Sequence, residues 1–241
     1  GNIAAFTATN ITSAPVIATV TVTPSANSCI GSSKSFNITV NPTPDVNAIA
    51  NQTVCNNAAT TAVNFTGSVS GTSYAWVNST TSIGLAASGT GNIASFTATA
   101  STNVPVLATV TVTPSANSCV GSNKSFIITV NPTPTVNTVA NQTLCNGATT
   151  NSVSFSGSVS GTAYAWTNNT TSIGLAATGN GNIGAFTATN TTSVPVVATV
   201  TVTPSANSCI GNTGTFTYTV NPTPDVNVVA NQVLCNNSST S

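Results

Sequence analysis

The sequence predicts an all-β protein arranged as a tandem array of small two-layer sandwiches, and three observations carry that prediction. Apolar residues alternate with polar ones at a period of two, no stretch shows the 3.6-residue period of a helix, and every landmark recurs after 90 residues. Gly-Asn-Ile begins at Gly1, Gly91 and Gly181, Asn-Pro-Thr-Pro begins at Asn41, Asn131 and Asn221, and the two tryptophans are Trp76 and Trp166. The six cysteines keep the same step, with Cys29, Cys119 and Cys209 in one series and Cys55, Cys145 and Cys235 in the other. A period of 90 is too long for one turn of a solenoid and suits one independently folding domain.

Pro-x-Pro fixes φ and resists both helix and central strand, so Asn-Pro-Thr-Pro reads as a semi-rigid linker. Cutting there predicts complete repeats at 43–132 and 133–222, the C-terminal part of a repeat at 1–42 and the N-terminal part of another at 223–241. The chain then reads as a window on a longer array. Within a repeat, Val63 and Phe65 begin an early strand that runs towards Gly67 and Gly71. Tyr74 and Trp76 share one face of the next strand, and Ile93, Phe96 and Ala98 lie on another whose broken alternation predicts a bulge. Val106, Ala108, Val110 and Val112 alternate with Leu107, Thr109, Thr111 and Thr113 in a half-buried antiparallel strand closed by Pro114. Phe126, Ile128 and Val130 mark the last strand, which ends at the linker. Roughly seven short strands around one buried tryptophan describe an immunoglobulin-like sandwich.

These residues resemble the PKD-like and immunoglobulin-like tandem domains of very large secreted surface proteins in Bacteroidota. The resemblance is carried by Thr53-Val54-Cys55-Asn56, Tyr74-Ala75-Trp76, Asn117-Ser118-Cys119 and Thr129-Val130-Asn131-Pro132. The pattern returns at Cys145, Tyr164-Ala165-Trp166, Cys209 and Val220-Asn221-Pro222. The sequence departs from the family after Trp76, where Val77-Asn78-Ser79 replaces the acidic, glycine-rich turn of PKD domains. The resemblance implies cell-surface adhesins, gliding-motility adhesins or extracellular filaments exported across the outer membrane.

Charge narrows the function. Two Lys, two Asp and no Arg, Glu or His make 2% of the chain charged, against about 25% in ordinary domains. General acid–base catalysis lacks its groups, so no enzyme is expected, and two lysines cannot line a nucleic-acid groove. No apolar run approaches a membrane span, because Thr, Ser and Asn interrupt each one. Calcium wants several carboxylates, which the two separated Asp residues do not supply, and no cofactor is expected. Lys34 and Lys124 match Gly214, and Asp45 and Asp225 match Thr135, so the charges read as solvated positions with no shared role.

The six cysteines Cys29, Cys55, Cys119, Cys145, Cys209 and Cys235 are the candidate site residues. Without His or clustered Cys-x-x-Cys pairs they suit neither zinc nor catalysis, and disulfides in an oxidising extracellular setting are the favoured reading. Two connectivities are open. Pairing within repeats gives Cys55–Cys119 and Cys145–Cys209 and is slightly favoured, although the first turn and the last hairpin of a sandwich lie at opposite ends. Pairing between neighbours gives Cys55–Cys209. Trp76 and Trp166 are expected in the core, where an exposed aromatic row would instead mark a glycan platform.

The expected function is a structural repeat region of an extracellular adhesin or filament. Its partners would be neighbouring repeats of the same chain and further copies in a self-associated filament or surface array. Multivalent glycan-binding modules, or spacers of a secreted polysaccharide-degrading enzyme, are the alternative. Strand edges are ordinarily guarded by charge, so a neutral Thr-, Asn- and Ser-rich surface favours packing against itself.

Overall fold

β-branched residues at alternate positions need a pleated surface with one wet and one dry face, and each repeat builds its main sheet from them. The computed structural model describes residues 2–240. They form two compact units, one running through Thr133 and including Asn207–Cys209, the other comprising Pro134–Ala206 and the residues from Ile210 on. The chain is all-β and immunoglobulin-like.

The first unit holds β1 (Val16–Val22), β2 (Ser25–Ala26), β3 (Cys29–Ile30), β4 (Lys34–Val40), β5 (Gln52–Cys55), β6 (Ser73–Asn78), β7 (Ser88–Thr90), β8 (Val106–Ala116), β9 (Cys119–Val120) and β10 (Lys124–Asn131). The second holds β11 (Gln142–Cys145), β12 (Ala163–Asn168), β13 (Thr178–Asn180), β14 (Val196–Ala206), β15 (Cys209–Ile210) and β16 (Gly214–Asn221). The principal sheets run β5-β10-β8-β6-β7 and β11-β16-β14-β12-β13. Both start with a parallel edge strand, β5 on β10 and β11 on β16, and are otherwise antiparallel.

The opposite layer of each sandwich is extended chain joined by isolated bridges, Ala59 with Thr97 and Val63 with Ile93 in the first unit. Side chains complete what a ladder would supply there: the Phe65 N–H donates to Asn92 Oδ1 at 2.9 Å, and the Phe96 N–H donates to Thr60 Oγ1 at 3.1 Å. This is why the alternation of Ile93, Phe96 and Ala98 is broken. Between the layers lie Val63, Phe65, Trp76, Val110, Phe126 and Ile128, with the corresponding residues in the second unit. Single 3₁₀ turns, Thr81–Ile83 and Thr171–Ile173, drop Ile83 and Ile173 into these cores.

Pro114 does not close its strand. β8 runs on to Ala116, because the proline falls where pairing with β10 ends at Val112 and the β9 hairpin takes over at Ser115. Residues 16–40 repeat the β8–β10 sequence pattern, but β1 and β4 form a two-stranded ribbon, and Phe36 is exposed where its equivalent Phe126 is buried.

Candidate functional site

The end of β5 and β10 is where the chain concentrates its chemistry. In the parallel ladder Cys55 stands opposite Asn131, and the next residue, Asn56, donates its N–H to the Asn131 carbonyl at 2.8 Å. The Asn56 side chain donates to Thr133 Oγ1 at 3.2 Å and accepts the Ala100 N–H at 2.9 Å. Three segments are thereby held around one cysteine.

Cys55 is bonded to Cys209, with the Cα atoms 5.7 Å apart. Its partner comes from the tip of a tight hairpin, in which Asn207 and Ser208 both adopt positive φ, 49° and 63°. Two left-handed residues in succession are what a two-residue hairpin turn with the twist of its strands requires, and Asn tolerates that region best after Gly. The tip is seated by Asn131, buried at this point, whose side-chain amide donates to the Asn207 carbonyl at 3.0 Å. Cys209 is only 2% exposed.

The within-repeat pairing Cys55–Cys119 is therefore not the one present. Cys55 sits where an edge strand leaves the sheet, and Cys119 sits on the β8–β9 hairpin beyond the last rung of that strand pair, so the two lie at different ends of the sheet. Cys29, Cys119, Cys145 and Cys235 are unbridged; Cys119 is half-buried and the other three are exposed.

The second class of candidates lies inside. Trp76 and Trp166 are each 8% exposed, and their indole N–H groups donate to the carbonyls of Gly91 at 3.2 Å and Gly181 at 3.1 Å. Each ring lies over a glycine of the neighbouring strand, Gly89 or Gly179, where a Cβ would collide with the six-membered ring. Neither tryptophan offers a face for a sugar.

The charges are less idle than the sequence reading allowed. Asp45, though exposed, accepts the Ser68 N–H at 2.6 Å and the Ser68 hydroxyl at 2.8 Å. Those two bonds, the backbone one first, hold its carboxyl below the ordinary aspartate range. In the middle repeat the Thr135 hydroxyl takes over, accepting the Ser158 N–H at 2.9 Å. Among the described residues no group of three His, Cys, Asp or Glu could hold a metal ion, and no helix is long and apolar enough to cross a membrane.

The asparagines are the residues that sequence reasoning missed. Asn51 and Asn141 accept the Ile127 and Thr217 N–H groups at 2.8 Å, ending the open side of each last strand. Asn78 and Asn168 are buried and donate to the carbonyls of Leu85 and Leu175 at 3.0 Å. Their recurrence at intervals of 90 was the available signal.

No family model matches the chain, and no curated protein does. Among solved structures, the chain is similar to the paired immunoglobulin domains of DIP-gamma, with 8% identity, 75% of this chain and 98% of that one covered, and a TM-score of 0.39. It is similar to the insect immune protein hemolin at 12% identity, with 78% and 52% covered and a TM-score of 0.37. For mouse cadherin-23 EC22-24 the figures are 13%, 86% and 74%, and 0.34. The immunoglobulin-like assignment is carried by the chain's own strand order.

Proposed function

We propose that the chain is the structural repeat region of an extracellular surface adhesin or filament, a stalk or fibre whose repeats at 43–132 and 133–222 are tied lengthwise by disulfides. The observation that carries this reading is the Cys55–Cys209 bond, which joins a residue of one repeat to a residue of the next. A disulfide belongs to an oxidising compartment. The near absence of titratable groups, the buried tryptophans and the resemblance to PKD-like surface domains support a mechanical task over a catalytic or sugar-binding one.

Force spectroscopy on the chain held by its two ends tests the proposal. The bond encloses the residues across a separation of 154, so reduction should release about 500 Å of extra contour length that the oxidised chain withholds. Equal extension with and without reductant, or a peptide map joining Cys55 to Cys119, would overturn it. Binding on a glycan array by a single repeat would make the chain a recognition module instead.

A further inference from the structure

We propose that the open edge of β4, together with Cys119, is a docking site for the Gln232–Cys235 segment of a second copy of the chain, added as a parallel strand and locked by a Cys119–Cys235 disulfide. The inference deepens the structural reading above and rests on it.

The site is visible by comparing one repeat with the next. β10 and β16 each carry a parallel edge strand, and in both ladders a Gln-x-x-Cys segment lies in one register: Gln52 to Cys55 against Ile128 to Asn131, and Gln142 to Cys145 against Tyr218 to Asn221. β4 is the equivalent of those two strands, but among the described residues it pairs only with β1. Its other edge is open. At the end of that edge Asn41 donates its side-chain amide to the Asn117 carbonyl at 3.0 Å, as Asn131 does to Asn207. The Asn117-Ser118-Cys119 tip is therefore already seated beside β4 as the Cys209 tip is seated beside β10. Its turn is the same, with φ of 48° and 63° at Asn117 and Ser118. Cys119 is unbridged and half-buried, whereas Cys209, with a partner strand in place, is buried.

The chain also contains the missing strand. Gln232-Val233-Leu234-Cys235-Asn236 repeats the pattern of Gln142-Thr143-Leu144-Cys145-Asn146. Val233 is 96% exposed and Cys235 is exposed and unbridged, outside any strand. Strand addition to a sheet edge supplies affinity through main-chain bonds and register through alternate side chains. Copying the observed register places Gln232 beside Ile38, Val233 beside Thr39, Leu234 beside Val40 and Cys235 beside Asn41. Cys235 then reaches Cys119 as Cys55 reaches Cys209. Donor and acceptor are different surfaces of one chain, so the contact is head-to-tail and propagates into an open fibre. The oxidant is a small-molecule disulfide: the two thiols give up two protons and two electrons, one S–S bond forms, and the reagent leaves as two thiols.

The test uses the whole chain in a buffer of oxidised and reduced glutathione, read by non-reducing gel and peptide mapping. The expected result is a ladder of covalent oligomers whose junction peptide joins Cys119 to Cys235. Cys119→Ser and Cys235→Ser should each abolish the ladder, and Cys145→Ser should leave it intact. Thr39→Pro removes a main-chain donor from the open edge and should suppress the ladder with every cysteine present. A peptide of residues 228–237 should cap Cys119 at least about tenfold faster than one with the same residues scrambled, because docking raises the effective concentration of its thiol. The proposal is overturned if Cys119 and Cys235 stay titratable, if junctions form indiscriminately among exposed thiols, or if Cys119 is found joined to any other sequence. Should the internal Cys55–Cys209 bond form while no ladder appears, the structural reading stands and only this inference fails. Should that internal bond also be missing, both fail.

Discussion

Asparagine performs in this chain the work that charged side chains perform at the edges and turns of ordinary domains. Asn131 seats a hairpin tip, Asn56 ties three segments, and Asn51 covers an N–H that β5 does not reach. An amide both donates and accepts without the desolvation cost of a charge, which lets a domain with 2% charged residues satisfy its buried polar groups. Asp45 is the exception that titrates. Its carboxyl is held low by Ser68, so it contributes stability that is present above the unfolded value of 3.8 and is lost as pH falls through the lower folded value. At the alkaline side, burial raises the Tyr218 hydroxyl above 10.0, so stability falls as pH climbs past that value and the unfolded chain ionises first. Thermal melts should therefore be level between about pH 5 and pH 9 and fall outside that window. In Asp45→Thr, which copies the middle repeat, the acid limb should shrink while the alkaline limb stays. An acid limb unchanged in that variant would show that Ser68 contributes nothing through Asp45.

At the scale of elements, the tryptophan strand depends on a residue with no side chain. Trp76 pairs with Gly89 across β6 and β7, and the indole occupies the space above that glycine. Gly89→Ala should force the ring out of place and destabilise the first unit by about 1–3 kcal/mol, the usual cost of overpacking a core. Urea titration followed by Trp fluorescence would show it; a midpoint equal to the parent chain would mean the ring moves freely. Period-two alternation made β8 and β10 legible in the sequence, because both have one wet and one dry face. The opposite layer was less legible. Val63, Phe65 and Ile93 were visible as apolar positions, but the bonds holding them come from Asn92 and Thr60 side chains, which no alternation reports. Pro114 misled for a related reason: a proline stops a strand only where its missing N–H was needed, and here the partner strand changes at that point.

For the molecule as a whole, the spacing of the cysteines matters more than their number. Repetition alone gave six positions and two possible connectivities, and what decides between them is the seat that Asn131 makes for the Asn207–Cys209 tip, a contact between residues 76 apart. A bond across 154 positions exceeds the repeat of 90, so the loop closed by one bridge contains both Cys119 and Cys145. Any equivalent bridge made by those two cysteines would overlap it, and load passing along an array of such loops would never rest on a single unbridged repeat. The same length sets the thermodynamic effect. In the chain-entropy account a loop of this size stabilises the folded state by about 5 kcal/mol relative to the open chain. Cys55→Ser with Cys209→Ser should lower the urea midpoint of the oxidised chain to that of the parent under reductant, and reductant should change the double variant no further. Cys145→Ser should match the parent in both conditions. If the double variant melts with the oxidised parent, the bridge acts only as a covalent tether under load and adds nothing to folding at rest.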